Sequence, residues 1–199
     1  DGIGGDFFDW SVGTDGRLSI ALGDAQGKLI EAGLGAAAVQ AALKSHAAYP
    51  HTAAQLLTRV NETLWTTSAG DQYSSLGYGL IDPASGEVEM SLSGAVLAIH
   101  VGKNCREVVK SKVLALGTDP ETCFETQSRH LHPGEFLILL SEGAQNAVDE
   151  GGLRIGEQAI GSLAVKSLRE SAEGLVGKIR RLIDRGQSSQ TEDMTVLVV

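Results

Sequence analysis

The chain has 199 residues, and 16 Lys+Arg against 25 Asp+Glu give a formal net charge of −9. That length suits one domain, and 42% apolar with 21% charged residues supplies a core, which excludes a disordered tail. The acidic balance argues against a nucleic-acid binder, which needs clustered Lys and Arg, and suits a protein that holds cations. The 25 glycines, about one residue in eight where roughly 7% is usual, point to tight turns and close backbone approaches.

The strand-forming pattern begins at once. Phe7 to Val12 and Arg17 to Gly23 alternate apolar and polar residues around Gly13-Thr14-Asp15-Gly16, which predicts a hairpin. Two Ala-rich stretches with helical spacing follow, Glu31 to Ala48 and Thr52 to Thr67, punctuated by Pro50. Strands are then expected at Tyr73–Ile81, Glu87–Leu92 and Val96–Val101. The first two are joined by a turn in which Pro83 presets φ and Gly86 accepts a positive one. Further strands are expected at Arg106–Lys110, Glu125–Leu131 and Glu135–Ser141, then helices at Gly156–Leu168 and Ala172–Arg185, and a last strand at Met194–Val199. The short strand-to-strand connections disfavour a parallel, doubly wound sheet, so the fold class is α+β, a layered sandwich with helices segregated on the outer faces.

Cys105 and Cys123 form no CxxC pair and lie near no histidine at zinc spacing, so they read as ordinary thiols in a reducing compartment. No apolar run approaches the roughly 18 residues that span a bilayer, and no secretory signal opens the chain. A cytoplasmic location is expected. Asp1 in place of Met reads as the start of a piece of a longer polypeptide.

The informative residues are acidic and stand at strand ends beside glycine. Asp6 follows Gly4-Gly5, Asp24 lies in Gly23-Asp24-Ala25-Gln26-Gly27, Glu142 precedes Gly143, and Glu192-Asp193 precede the last strand. Each alone is most simply a turn acid. Carboxylates that converge repel one another unless cations neutralise them, and oxygen-only ligation favours a hard ion such as Mg²⁺ or Mn²⁺.

In order, Gly4-Gly5-Asp6-Phe7-Phe8-Asp9, Gly23-Asp24-Ala25-Gln26-Gly27-Lys28, Ser141-Glu142-Gly143 and Glu192-Asp193-Met194-Thr195 resemble successive motifs of the metal-dependent protein phosphatases. The closest branch is the bacterial one typified by stage II sporulation protein E and the RsbU-type stress-response phosphatases. The resemblance spans essentially the whole chain. It implies a four-layer αββα sandwich of two mainly antiparallel sheets, and two divalent cations, Mn²⁺ or Mg²⁺. By the same resemblance Asp24 bridges the cations, Asp6 and the Ala25 carbonyl complete one site, and Glu142 and Glu192 complete the other. Asp9 and Asp193 would support the metals from a second layer. The implied reaction is hydrolysis of phosphoserine or phosphothreonine in a protein by a metal-bound hydroxide. The implied substrate is a phosphorylated regulatory protein such as an anti-sigma-factor antagonist, with an upstream sensor domain as a further expectation. No phosphate-clamping residue is assigned.

Glu142 and Glu192 depart from the family, which usually has Asp at both places. Each reaches further by one C–C bond, about 1.5 Å, whereas Mg²⁺ demands octahedral geometry at about 2.0–2.1 Å. An asymmetric pair of metal sites is therefore expected. A catalytically impaired domain serving as a binding or signalling module is the alternative. Ser93-Gly94-Ala95 stands where relatives often carry Ala-Gly-His.

Other features carry less. Gly23 to Lys28 is one residue short of a Walker A loop. Gly33-Leu34-Gly35-Ala36 imitates a dinucleotide fingerprint but reads better as small residues packing a helix on a sheet. His130 and His132 lack a third ligand in the sequence nearby, and Lys28 reads as an exposed turn lysine. Lys103, Arg106, Lys110 and Lys112 read as protection of a strand edge.

Overall fold

The computed structural model describes residues 4–68, 70–103, 105–149, 152–184 and 193–199. The alternating first segments pair as β1 (Asp6–Val12) and β2 (Leu18–Ala25), and the hairpin closes with Gly13 N–H donating to the Arg17 carbonyl at 2.8 Å. Helix α1 (Ile30–Ala47) ends before Pro50, which cannot supply a helical N–H. Helix α2 (Ala53–Thr67) starts on a reciprocal cap: Thr52 Oγ1 accepts from Gln55 N–H, and Gln55 Oε1 accepts from Thr52 N–H at 3.0 Å.

Strands β3 (Ser74–Ile81) and β4 (Glu87–Ser93) flank the expected turn, where Gly86 has φ 79° and its N–H donates to the Asp82 carbonyl at 2.8 Å. The chain continues through β5 (Leu97–Val101), β6 (Arg106–Lys110), β7 (Gln127–His130) and β8 (Phe136–Leu140). Helices α3 (Glu142–Asn146), α4 (Gly156–Lys166) and α5 (Ala172–Asp184) precede β9 (Val196–Val198).

Two sheets result, ordered β1-β2-β3-β4-β7 and β6-β5-β8-β9, with antiparallel pairing throughout. Period-two alternation sorts their side chains into three buried layers. Ile20, Leu22, Met90 and Leu92 of the first sheet meet Ala98, Val109, Leu137 and Leu139 of the second between the sheets. Ala21, Tyr78 and Leu80 face the other way, against Val39, Leu43, Leu56, Leu57 and Val60 of α1 and α2. Ile99, Ile138 and Leu140 meet Ile160, Leu175 and Ile179 of α4 and α5. Each fully buried Leu or Ile contributes about 1.5–3 kcal/mol. This is the four-layer αββα order expected from the sequence.

The differences are local. A five-residue helix, α3, opens at Glu142, where the sequence pattern suggested only the end of a strand. Strand β7 is shorter than expected because it pairs with β4 only from Gln127 to His130. Strand β6 forms an edge of the second sheet, and its Arg106 and Lys110 reach out to Ser162 and Glu157 of α4.

Candidate metal centre

The β1–β2 register sets Asp6 directly opposite Asp24 and Phe7 opposite Gly23. Opposed residues in an antiparallel pair project from the same face. Asp24 shares its face with Ile20 and Leu22, so both carboxylates belong to the inter-sheet side, where the apolar layer ends. Ser75, the β3 partner of Asp24, continues the row.

The second sheet closes over this end. Ser141, just beyond β8, donates its N–H to the Thr195 carbonyl at 3.1 Å, and Thr195 N–H donates to Ser141 Oγ at 3.0 Å. Burial pushes the Asp6 carboxyl pKa above the usual carboxylate range, and the nearby Asp193 charge adds to that. Hydrogen bonds from the Thr195 and Ser141 side chains oppose the rise without cancelling it. Asp6 Oδ2 is buried and has no hydrogen-bond partner among the described residues. Such an acceptor is costly unless something fills its coordination.

Two glycines make room for the other oxygens. A Cβ on Gly5 would lie 2.0 Å from the Ala25 carbonyl oxygen and 3.0 Å from Asp24 Oδ1. A Cβ on Gly4 would fall 1.4 Å from Asp193 Oδ2. Ala25 is fixed by its N–H donating to the Gly5 carbonyl at 2.9 Å, and by α1, where a Cβ on Gly35 would stand 3.3 Å from Ala25 Cβ. The Gly33-Leu34-Gly35-Ala36 run is thus helix-on-sheet packing.

An orphaned buried carboxylate oxygen, a second carboxylate across the ladder and a carbonyl pressed against glycine form an oxygen-only donor set, which fits a hard divalent cation. The other half of the expected pair is less assembled. Glu142 is exposed at the start of α3 and lines a cavity of about 480 Å³ beside Ser75 and Ala95. Glu192 lies outside the described residues. Among the described residues, no three Asp, Glu, His or Cys side chains converge closely enough to cage an ion by themselves.

Asp193 stands beside Asp6, but Asp9 does not join them. It faces α1, where its carboxylate pairs with Lys44 Nζ at 2.9 Å and accepts from Gln40 Nε2 at 3.4 Å. Lys28 is exposed. Ser141 and Thr195 belong to the quoted motifs yet carry no role in the sequence reading. Gln145 has no sequence signal, and its Nε2 donates to the Ala95 carbonyl at 2.5 Å, tying α3 to the β4–β5 turn.

Solved structures share this architecture. The SiaA-PP2C domain of Pseudomonas aeruginosa superposes with a TM-score of 0.79 at 19% identity, covering 98% of this chain and 80% of that one. The PP2C phosphatase domain with part of the regulatory domain of the cell fate determinant SpoIIE from Bacillus subtilis gives 0.78 at 19% identity, over 98% of this chain and 57% of that one. RsbX in complex with magnesium gives 0.76 at 18% identity, covering 98% and 86%. At such identities the likeness establishes the fold, that of PP2C-type phosphatases. A search of curated protein sequences returns no match. Residues 14–199 match the family described as Stage II sporulation protein E (SpoIIE), so the ordered motifs and the paired sheets have one explanation: the chain belongs to that family.

Proposed function

We propose that this chain is a metal-dependent phosphoserine/phosphothreonine protein phosphatase. The observation that carries the reading is Asp6 Oδ2, buried without a hydrogen-bond partner among the described residues, on the register partner of Asp24, whose Oδ1 crowds Gly5 together with the Ala25 carbonyl. Asp6, Asp24 and the Ala25 carbonyl would hold one cation; Asp24, Glu142 and Glu192 would hold a second. Divalent cations bound there, Mn²⁺ or Mg²⁺, would acidify water and neutralise charge on the phosphoryl oxygens. Ser141 and Thr195 orient the Asp6 carboxylate by hydrogen bonding. Gln145 holds the Ala95 carbonyl at the cavity wall. Asp193 adds negative charge that favours cations over other occupants.

The substrate proposed by family likeness is a phosphorylated regulatory protein such as an anti-sigma-factor antagonist, acted on in the cytoplasm by a single phosphatase domain of a larger chain. No helix among the described residues is long and apolar enough to cross a membrane. Hydrolysis of p-nitrophenyl phosphate with Mn²⁺, abolished by Asp24→Asn, is the expected result. No turnover with any divalent ion would reject the enzyme reading.

The second reading is a binding or signalling module of weakened activity. The exposed position of Glu142 favours it, because a solvent-exposed carboxylate holds a cation less firmly than one fixed in a buried site. Intact hydrolysis at saturating Mn²⁺ would dismiss it.

A further inference from the structure

The segment 111–118 runs as a strap along the ends of β3 and β4 and is pinned at several points. Gly94 N–H donates to the Val113 carbonyl at 3.2 Å, and Val113 N–H donates to Ser111 Oγ at 3.1 Å. Ser74 and Leu116 exchange both backbone bonds, at 3.1 and 2.8 Å. Asn61, buried in α2, accepts from Gly117 N–H at 2.8 Å. Leu116 is fully buried in the layer under α2, yet Leu114, two residues earlier, is 65% exposed.

A leucine exposed on a floppy loop is unremarkable. Leu114 instead stands on backbone anchored both before and after it, so its position is set in advance. It lines the 480 Å³ cavity together with Tyr73, Val113 and Ala115, while Gln26, Thr118, Glu142 and Ser75, the row neighbour of Asp24, form the polar part of the lining. Among the described residues, no Lys or Arg lines it. An acidic side chain seated against Leu114 would be desolvated with no Lys or Arg among the described lining residues to pair it, whereas an apolar one would cover Leu114 and Tyr73.

We infer that Leu114 and the pinned strap form an apolar specificity lip that receives a hydrophobic residue next to the phosphoserine of the protein substrate. This rests on the phosphatase reading for the position of the phosphoserine. The lip is a wall of pinned backbone carrying one large aliphatic side chain, so it selects by apolar burial and against flanks that would lose water unpaired. Preorganisation lets it do so without an ordering cost at the moment of binding.

The test uses fluorescent peptides carrying a non-hydrolysable phosphonate in place of phosphoserine, flanked by Leu, Gly or Asp, with affinity read by anisotropy in Mn²⁺. The Leu-flanked peptide should bind about tenfold tighter than the Asp-flanked one, the scale of discrimination one apolar group provides. Leu114→Ser should shrink that ratio to about twofold or less, and Leu114→Met should retain most of it, since Met conserves apolar volume. Equal affinities for all three flanks in the unaltered chain, or an unchanged ratio in Leu114→Ser, would overturn the proposal. Hydrolysis of p-nitrophenyl phosphate judges the phosphatase reading separately, because it offers no flanking residue to the lip.

Discussion

Asp6 and Asp24 are register partners on adjacent antiparallel strands, and their carboxylates leave the same face at the same end of the sandwich. Burial raises the cost of an ionised Asp6, and the neighbouring Asp193 charge adds to it. A divalent cation bound beside Asp6 would offset that cost.

Cation binding should appear as stabilisation. Adding Mn²⁺ to chelator-treated protein should raise the melting temperature, with about 2.7 kcal/mol of stabilisation at a hundredfold excess over the dissociation constant. Asp6→Asn and Asp24→Asn should each remove most of that shift while leaving the fold intact by circular dichroism. Scanning calorimetry with and without Mn²⁺ reads it, and a full shift in Asp6→Asn would remove Asp6 from the cation set.

Gly5→Ala tests the close approach. The added methyl meets a backbone carbonyl, that of Ala25, at 2.0 Å, and the carbonyl of a paired strand cannot rotate away as a side chain would. Overpacking of this kind costs about 1–3 kcal/mol. The variant should unfold at lower urea concentration and lose part of the Mn²⁺-induced shift. Wild-type stability with an unaltered Mn²⁺ response would show that the Ala25 carbonyl is not confined.

The strands and long helices were legible because burial imposes a period, two in a half-buried strand and 3.6 on a packed helix. Pro50 and the Thr52/Gln55 pair marked one helix boundary by their own chemistry. Helix α3 escaped because five residues are too few to display a helical period. Asp9 is instructive. It shares a motif with Asp6, but three residues is an odd step in a strand, so the two leave opposite faces and Asp9 meets Lys44 instead. The union of Ser141 with Thr195 joins residues 54 apart in sequence, and no local pattern announces it.

Asn61 is a buried amide in the middle of α2, at 1% exposure. Its Oδ1 accepts from Gly117 N–H at 2.8 Å and its Nδ2 donates to the Asp119 carbonyl at 2.9 Å, fastening the strap to the helix. Asn61→Ala leaves both backbone groups without that partner, at about 1–3 kcal/mol for each group that stays dry. Urea unfolding should show a loss of at least about 1 kcal/mol, and amide exchange at Gly117 should accelerate. No change in either would mean that water replaces the amide fully.

A pH-dependent contribution comes from Glu135. Burial pushes its carboxyl pKa up, but hydrogen bonds from His100 and from the His132 amide, with the charges of both histidines, outweigh that and hold it below the usual carboxylate range. His100 Nε2 stands 2.9 Å from Glu135 Oε2 and is itself buried. A carboxyl whose pKa is lower folded than unfolded stabilises the fold above its unfolded value, about 4.3, and loses that contribution as pH falls through the folded value. Glu135→Ala should therefore cost about 1–3 kcal/mol at pH 7, the penalty for stranding the buried His100 donor. The gap between variant and wild type should narrow steadily as the pH drops below about 4. Urea unfolding across that range provides the check. A gap that stays constant down to the acid limit would show that shape, and not the ionised carboxylate, stabilises this corner.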